Sequence, residues 1–219
     1  MARQRASRAA SIWRSIFASV SNIVFTLCLL KTLFLTLPEK SKKIFLMKSS
    51  ICMKTERVIH PFEPFFQGDS KILILGSFPS IKSRADGFYY GNKQNRFWRM
   101  LARIFSQNGI VEIPETPAQK KDFLRKNKIA LYDTIKECSV SGSADSSIRG
   151  AVPADIGKIL KESQIEKILL NGKTAEKYFQ KYQSPEIQAI AKTMPSTSPA
   201  NAVWTLEKLA QRWSEEILT

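Results

Sequence analysis

Four apolar runs in the sequence are each followed by small polar or amide residues, which can orient a water molecule or hydrogen-bond a ligand. The run KILIL is followed by GSFPS, and the later runs are followed by Asp133, by Asn171 and by the loop 194–201. None of these places holds a histidine that could act as a general base. None has the G-x-x-x-x-G-K spacing of a phosphate-binding loop or the G-x-S-x-G spacing of a nucleophile elbow. Amides, hydroxyls and one carboxylate are therefore the groups available for chemistry.

The stretch from Gly76 to Trp98, GSFPSIKSRADGFYYGNKQNRFW, combines aromatic residues, glycines and positive charge in one connection. Three glycines loosen its backbone, and Arg84, Lys93 and Arg96 carry its positive charge. A plain connection between a core strand and a helix needs neither aromatic surface nor charge. The composition therefore indicates a binding surface at this place.

Apolar periodicity predicts strands that alternate with helices from Lys54 onwards. The predicted strands cover 71–77, 129–135 and 165–172, with a fourth within 187–201. The predicted helices cover 95–109, 117–128, 155–164, 173–182 and 205–218, with Asn95 as the N-cap of the first, and 139–155 is predicted to be a loop. This order implies an α/β fold, three-layer α/β/α with a central, mainly parallel four-stranded sheet. Ligands bind beyond the carboxyl ends of such strands, so the four loops should meet.

The overall charge is basic, with 34 Lys+Arg against 19 Asp+Glu and a formal net charge of +15. This balance favours a polyanionic partner, either nucleic acid or an anionic membrane. Cys28, Cys52 and Cys138 are too few for a four-cysteine iron–sulfur cluster and match no zinc spacing. The single histidine, His60, argues against a zinc site, and we expect it to be an exposed or structural residue. We therefore expect a reduced intracellular protein with no metal, no iron–sulfur cluster and no cofactor.

Residues 1–53 differ from the rest and are predicted to be an extension of a domain at 54–219. They hold nine basic residues against one acidic residue, and an apolar stretch interrupted by Lys31. Three explanations remain open. The extension could be an organelle-targeting or signal-like segment, or a membrane anchor with a snorkelling lysine. It could also be translated sequence upstream of a working start at Met47 or Met53.

Two sequence blocks together resemble the uracil-DNA glycosylase superfamily. The first is LILGSFPS with GFYYGNKQNRFW, and the second is MPSTSPANA after the last predicted strand. The NRFW run is similar to that of the mismatch-specific uracil glycosylases, and the whole set looks most like the hypoxanthine-DNA (deoxyinosine) glycosylase branch. The resemblance covers about residues 59–217. GSFPS alone is a weak motif, whereas the long first block paired with the second is fairly specific.

The resemblance implies an enzyme that flips a deaminated base out of DNA and binds it in a pocket. Aromatic faces that stack on the flipped base contribute about 1–3 kcal/mol to its binding. A carboxylate in the pocket would accept a hydrogen bond from a ring N–H of the base. Small residues let backbone N–H groups approach phosphates, and the second-block loop presses into the minor groove. The implied base-pocket residues are Ser77, Phe78, Phe88, Tyr90, Asp133 and Asn171. The implied DNA-binding residues are Ser80, Arg96, Lys173, Pro195, Ser196, Thr197 and Ser198.

The chain departs from the best-studied branches at two motif positions. Phe78 stands where those branches carry Asp or Asn, and Met194 stands where many relatives have a histidine. Asn92 and Asn95 are therefore the candidate catalytic residues, since an amide there would hold a water molecule near the sugar C1′. We favour Asn92, because Asn95 also has a helix to cap. Backbone N–H groups with Lys or Arg would stabilise the departing base.

The sequence thus predicts a monofunctional DNA glycosylase of base-excision repair that hydrolyses the N-glycosidic bond of a deaminated base, hypoxanthine first and uracil second. The expected partner is DNA that contains deaminated bases, and we expect a monomer in the cytoplasm, nucleoid or nucleus. The alternative is a non-catalytic binder of damaged or single-stranded nucleic acid on the same fold, which Phe78 in place of the acid favours. An esterase-like hydrolase would need a serine with a base, and His60 is the only histidine.

Overall fold

Strands and short helices alternate through residues 56–106, 112–141 and 147–219, the part of the chain that this computed structural model describes. The strands are β1 (Glu56–Ile59), β2 (Ile72–Gly76), β3 (Ile129–Asp133), β4 (Ile135–Val140), β5 (Arg149–Pro153), β6 (Lys167–Asn171) and β7 (Ala191–Met194). The helices are α1 (Ile81–Asp86), α2 (Phe97–Ile104), α3 (Pro117–Lys126), α4 (Ile156–Lys161), α5 (Lys173–Tyr182), α6 (Pro185–Ala189) and α7 (Leu206–Ile217). The predicted extension at 1–53, with its three explanations, lies outside the described residues.

β2 lies inside a parallel four-stranded sheet with the order β3-β2-β6-β7. Its residues Leu73, Ile74 and Leu75 are fully buried, and the centres of β3 and β6 are buried in the same way. A continuous apolar run is typical of a parallel strand that is covered on both faces. The predicted α/β fold with a central, parallel four-stranded sheet flanked by helices is confirmed.

The helices pack on the sheet and on each other through apolar faces, and α3 has a capped N-terminus. α5 contacts β6 and β2, α3 contacts β3, and α2 packs against α7. Phe97 and Met100 of α2 and Trp213 of α7 are fully buried in the resulting core. α3 begins with a capping box, in which the Thr116 hydroxyl accepts from Gln119 N while the Gln119 side chain accepts from the Thr116 N–H. This pairing satisfies backbone donors that the first turn of a helix leaves free.

A second, antiparallel sheet with the order β1-β4-β5 corrects the sequence prediction. The strand predicted at 129–135 ends at Asp133, and Ile135 begins β4. The stretch 139–155 was predicted to be a loop, but β4 extends into it and β5 lies within it. β5, with the sequence RGAVP, is mostly exposed at the sheet edge and shows no alternation of apolar and polar residues. An edge strand of this kind carries little sequence signal.

Other differences concern boundaries. The helix predicted at 95–109 begins at Phe97, and α1 and α6 were not predicted. The fourth predicted parallel strand is limited to Ala191–Met194. In the described ranges we find no helix with the length and hydropathy needed to cross a membrane.

Candidate active site

The carboxyl ends of the four parallel strands lie side by side at one edge of the sheet. Gly76 is paired with Asp133 across β2 and β3, and Asn171 is paired with Met194 across β6 and β7. β2 also pairs with β6, in a register that places the carboxyl ends of all four strands at the same level. The loops that leave this edge contain most of the predicted site residues, so the expected convergence is observed.

Asp133 is hydrogen-bonded to His60, which the sequence analysis did not assign to the site. Its Oδ2 lies 2.9 Å from His60 Nε2, and the two side chains are 7% and 1% exposed. His60 was expected to be an exposed or structural residue, and the first alternative is wrong, because the ring is buried. The pairing of β1 with β4 continues through a bond from the His60 N–H to Lys136 O. The two partners are 73 residues apart, so no local pattern could have revealed the contact.

Gly76 is required at the end of β2, because Asp133 and Tyr90 occupy the space that a side chain would need. A Cβ at Gly76 would lie 2.2 Å from Asp133 Oδ1 and 3.1 Å from Tyr90 Oη. Tyr90 adopts a φ of 54° and stacks on Phe97 with ring centroids 3.8 Å apart. A non-glycine residue at positive φ is uncommon and persists only where its surroundings hold it. Tyr90 and Asp133 therefore form one rigid cluster over Gly76.

Phe78 and Ser77 lie next to this cluster. The half-buried Phe78 ring is edge-on to the His60 ring at 5.8 Å. The Ser77 carbonyl accepts from the Ile135 N–H at 3.2 Å, which ties the first loop to the start of β4. The structure therefore brings Ser77, Phe78, Tyr90 and Asp133 together, four of the six predicted base-pocket residues.

Phe88 is not part of this group, which corrects its prediction as a pocket wall. It is 4% exposed and packs against Phe65 and Trp98 in the hydrophobic core. Its neighbour Tyr89 is also buried and donates from Oη to the Glu63 carbonyl. A base cannot stack on a ring that other aromatic rings already cover, so we assign Phe88 to the core.

Two buried phenols behind His60 stay neutral. Burial, reinforced by the nearby Asp133 carboxylate, raises the pKa of Tyr89 far above its ordinary value. Burial together with the carboxylates of Glu63 and Asp133 raises the pKa of Tyr132 to about 12. Neither tyrosine therefore adds negative charge beside Asp133 at physiological pH.

Asn171 and Thr197 hold each other across the site edge. The Asn171 Nδ2 donates to Thr197 Oγ1 and its Oδ1 accepts from the Thr197 N–H, both at 2.9 Å. Thr197 is fully buried, so its predicted contact with DNA is corrected to a loop-anchoring role. Asn171 was predicted for the base pocket, but both ends of its amide are engaged with the loop. Gly172, at φ 95°, allows this close approach, since a Cβ there would lie 2.7 Å from Ser196 Cβ.

Arg96 binds the loop 195–204 and not a surface ligand. Its guanidinium donates to the carbonyls of Thr197 and Asn201, at 3.3 and 3.0 Å, and also to those of Ser198 and Trp204. Its backbone N–H donates to the Thr197 carbonyl as well. Burial, with repulsion from Arg99, lowers the pKa of Arg96, which nevertheless remains charged as arginines do. The predicted DNA contact of Arg96 is therefore corrected, because its donors are committed to the loop.

The two candidate catalytic amides occupy one turn before α2. Asn92 Oδ1 accepts from the Gln94 N–H at 3.1 Å and lies 3.5 Å from Lys82 Nζ on an exposed side. The N-cap of α2 is Arg96, one residue later than predicted, and Asn95 Oδ1 accepts from the Phe97 N–H at 3.0 Å, so Asn95 caps only this first helical N–H. The catalytic role of either amide remains a prediction.

The other predicted DNA-binding residues surround the same edge. Ser80 is the N-cap of α1, and Lys173 at the start of α5 is exposed and paired with Glu176. Pro195, Ser196 and Ser198 lie in the Arg96-bound loop, and the Pro195 carbonyl accepts from Trp213 Nε1 at 3.0 Å. The sequence analysis missed Val203, an apolar residue of this loop that is 80% exposed.

The described residues contain no group of three or more His, Cys, Asp or Glu side chains that could hold a metal ion. Cys138 is a buried thiol, and burial raises its pKa to about 11, so it is protonated and unreactive at neutral pH. A cavity of about 570 Å³ lies beside α3, lined by Phe105, Phe123 and Asn127 among others. None of the residues that line it is a predicted site residue.

Comparison with known families agrees with this fold. The model of the uracil DNA glycosylase superfamily matches residues 63–218, and the chain belongs to this superfamily. The superfamily consists of DNA glycosylases, so the predicted family and enzyme class are confirmed.

Individual relatives can be named. A protein of Methanosarcina acetivorans named hypoxanthine DNA glycosylase is 34% identical over 146 residues, which are 64% of this chain and 86% of the relative. A protein of Methanosarcina barkeri with the same name is 30% identical over 160 residues, 70% of this chain and 94% of the relative. The fold is similar to a solution NMR structure from Methanosarcina acetivorans, provisionally described as a uracil DNA glycosylase. The TM-score is 0.60 at 29% identity, over 73% of this chain and 97% of that one.

Proposed function

We propose that this chain removes hypoxanthine from DNA by hydrolysing the N-glycosidic bond, with uracil as a second substrate. The observation that carries the proposal is the match to two relatives named hypoxanthine DNA glycosylase, over 86% and 94% of their lengths. The cluster of Phe78, Tyr90 and Asp133 supports it, since it joins aromatic surface to a hydrogen-bond acceptor at the ligand-binding edge of the sheet. The product is an abasic site, and the place of action is wherever the cell keeps its DNA.

In the proposed reaction, the flipped base enters beside Asp133, whose carboxylate accepts from the ring N–H. A water molecule attacks the sugar C1′ as the bond from C1′ to N9 breaks. The electron pair leaves with the base, which takes up a proton, and the water oxygen remains on C1′. Asn92 or Asn95 holds the water, and backbone N–H groups stabilise the charge that develops on the base.

We propose that the loop 195–204 enters the DNA where the base has left. Its apolar tip Val203 fills the gap, and the hydroxyls of Ser196 and Ser198 with Lys173 contact the phosphates. Arg96 supports this role because it holds the loop in one shape before DNA arrives.

The proposal is tested with the full chain and duplex oligonucleotides that carry one deoxyinosine, deoxyuridine or deoxyxanthosine, followed by alkali to break abasic sites. We expect alkali-dependent breakage at deoxyinosine, weaker breakage at deoxyuridine and none in an unmodified duplex. Binding to all three lesions without breakage would instead show a non-catalytic binder.

The two amides can be separated by matched substitutions. Asn95→Ala removes both the amide and the cap on α2, whereas Asn95→Ser keeps a cap, because a serine hydroxyl also accepts from a nearby backbone N–H. If Asn95 holds the water, both variants lower the single-turnover rate about tenfold, the value of one ordinary hydrogen bond, and DNA affinity stays unchanged. If Asn92 holds it, Asn92→Ala has this effect and Asn95→Ser has none. Wild-type rates in Asn92→Ala and Asn95→Ser would contradict both assignments.

Val203→Gly is expected to lower the rate of base release about fivefold, because an apolar side chain that fills the gap contributes about 1 kcal/mol. The melting temperature should fall only slightly, since Val203 is exposed in the free protein and glycine mainly adds freedom to the unfolded chain. Leu218→Ala, which removes another exposed apolar side chain outside the loop, is the matched control for the oligonucleotide assay. Equal rates for Val203→Gly and wild type would exclude this use of the loop.

A further inference from the structure

His60 is enclosed by aromatic rings on the protein side of the candidate base pocket. Four aromatic rings have centroids 5.0 to 5.9 Å from the centroid of the imidazole, and they belong to Phe62, Phe78, Tyr89 and Tyr132. The side chain is 1% exposed, so a bound base cannot reach it directly. In the described part of the chain, its polar partners are Asp133 Oδ2 and the backbone N–H of Phe62. The polar influence of His60 on a substrate therefore passes through Asp133, whereas its ring packs against Phe78.

The contact with Phe62 determines which imidazole nitrogen carries the proton. The Phe62 N–H donates to His60 Nδ1 at 3.1 Å, and a backbone N–H can only donate. Nδ1 must therefore present its lone pair, which leaves the proton on Nε2. Nε2–H then donates to Asp133 Oδ2 at 2.9 Å. The geometry thus defines a neutral imidazole that acts as a donor to Asp133.

This donor orients the Asp133 carboxylate. With Oδ2 held by His60, Oδ1 lies over Gly76, where a Cβ would be only 2.2 Å away. Among the described residues, no lysine or arginine nitrogen lies within ion-pair distance of Asp133. A carboxylate oxygen without a cationic partner is a strong acceptor for an N–H donor from a ligand.

Building on the proposed function, we propose that His60 is a positioning residue that makes Asp133 selective for deaminated bases. Deamination of adenine or cytosine converts a bare ring nitrogen into an N–H beside a carbonyl group. A fixed carboxylate oxygen accepts from that N–H and repels the lone pair of the undamaged base. A site built to accept a ligand N–H discriminates strongly against an analogue that lacks it. The orientation that His60 imposes keeps Oδ1, and not Oδ2, directed to the base.

The test compares two duplexes that differ at one ring position of the base. One carries deoxyinosine and the other carries 1-deaza-2′-deoxyinosine, in which the N1–H is replaced by C–H. For each protein we measure the ratio of the two single-turnover rates with the full chain. The wild type is expected to favour deoxyinosine by about 10- to 100-fold, as for a hydrogen bond to a charged group. His60→Phe keeps an aromatic ring but loses the donor, and the ratio should fall about tenfold.

Two further variants separate positioning from folding. His60→Gln has an amide N–H that can reach Asp133, so part of the ratio should return. Phe62→Leu removes a ring from the His60 enclosure but keeps the backbone N–H, so its ratio should equal that of the wild type. If His60→Phe slows both duplexes equally and the ratio is kept, His60 has only a structural role. If the wild type releases neither base, the proposed function fails, and the ratio of the two dissociation constants decides the role of His60.

Discussion

Arg96→Ala is expected to lower the rate of base release by about 100-fold or more, because Arg96 holds the loop 195–204. Its guanidinium donates to carbonyls of four residues of the loop 195–204. Removal of the side chain leaves those carbonyls without their donor, which costs about 1–3 kcal/mol of stability for each carbonyl that stays buried. A loop displaced by about 1 Å can reduce a rate by two orders of magnitude. The measurement is the single-turnover rate on deoxyinosine duplex, together with the urea midpoint of unfolding.

Arg96→Lys decides between a loop-holding role and a phosphate contact. A lysine is a point charge and cannot replace the planar fork that reaches several carbonyls, so the rate should stay close to that of Arg96→Ala. If Arg96 bound a phosphate, lysine would restore most of the activity. Arg103→Ala is the matched control, since Arg103 lies about two helix turns further on and forms an exposed pair with Glu207. We expect wild-type activity from it, because exposed ion pairs contribute little to stability.

Gly76→Ala is expected to lower the rate of base release about 100-fold and to destabilise the fold by about 1–3 kcal/mol. The added Cβ would lie 2.2 Å from Asp133 Oδ1, so the carboxylate must move away from the position that His60 imposes. Overpacking of this kind costs stability, and misplacing a group that contacts the base costs rate. The rate on deoxyinosine duplex and the thermal midpoint are the two measurements.

Gly157→Ala is the matched control for Gly76→Ala. Gly157 lies in α4, and a Cβ there would meet Asp155 Oδ1 at 3.6 Å, an ordinary contact. Alanine in place of glycine inside a helix stabilises it by about 0.5–1 kcal/mol. The control should therefore be at least as stable as the wild type and equally active. If Gly76→Ala matched the control in both measurements, the clash at the strand end would be disproved.

The parallel sheet was predictable because its strands are continuous apolar runs between clear turns. The edge of the sheet followed from the same runs, and with it the neighbourhood of Gly76, Asp133 and Asn171. The antiparallel sheet was not predictable, since β5 is short, exposed and contains both glycine and proline. Its sequence has the composition of a loop, and pairing with β4 makes it a strand.

The individual roles at the site were less accessible to sequence reasoning. A basic residue has the same sequence signature whether it binds a phosphate or backbone carbonyls, so Arg96 was assigned to DNA. The role proposed for His60 depends on its contact with Asp133, which lies 73 residues away in the sequence. It also depends on the one backbone N–H that donates to its other ring nitrogen. Phe88 could not be separated from Tyr90, because three consecutive aromatic residues give no indication of which one faces the core.

The bond from Trp213 Nε1 to the Pro195 carbonyl makes the shape of the loop depend on the folding of α7. Trp213 is fully buried in α7, whereas Arg96 holds the same loop from the start of α2, and the two helices pack against each other. Proteins open locally in cooperative units, and the least stable units open most often. A local opening of α7 therefore also releases one end of the loop, so the loop is no more stable than the packing of α7 on α2.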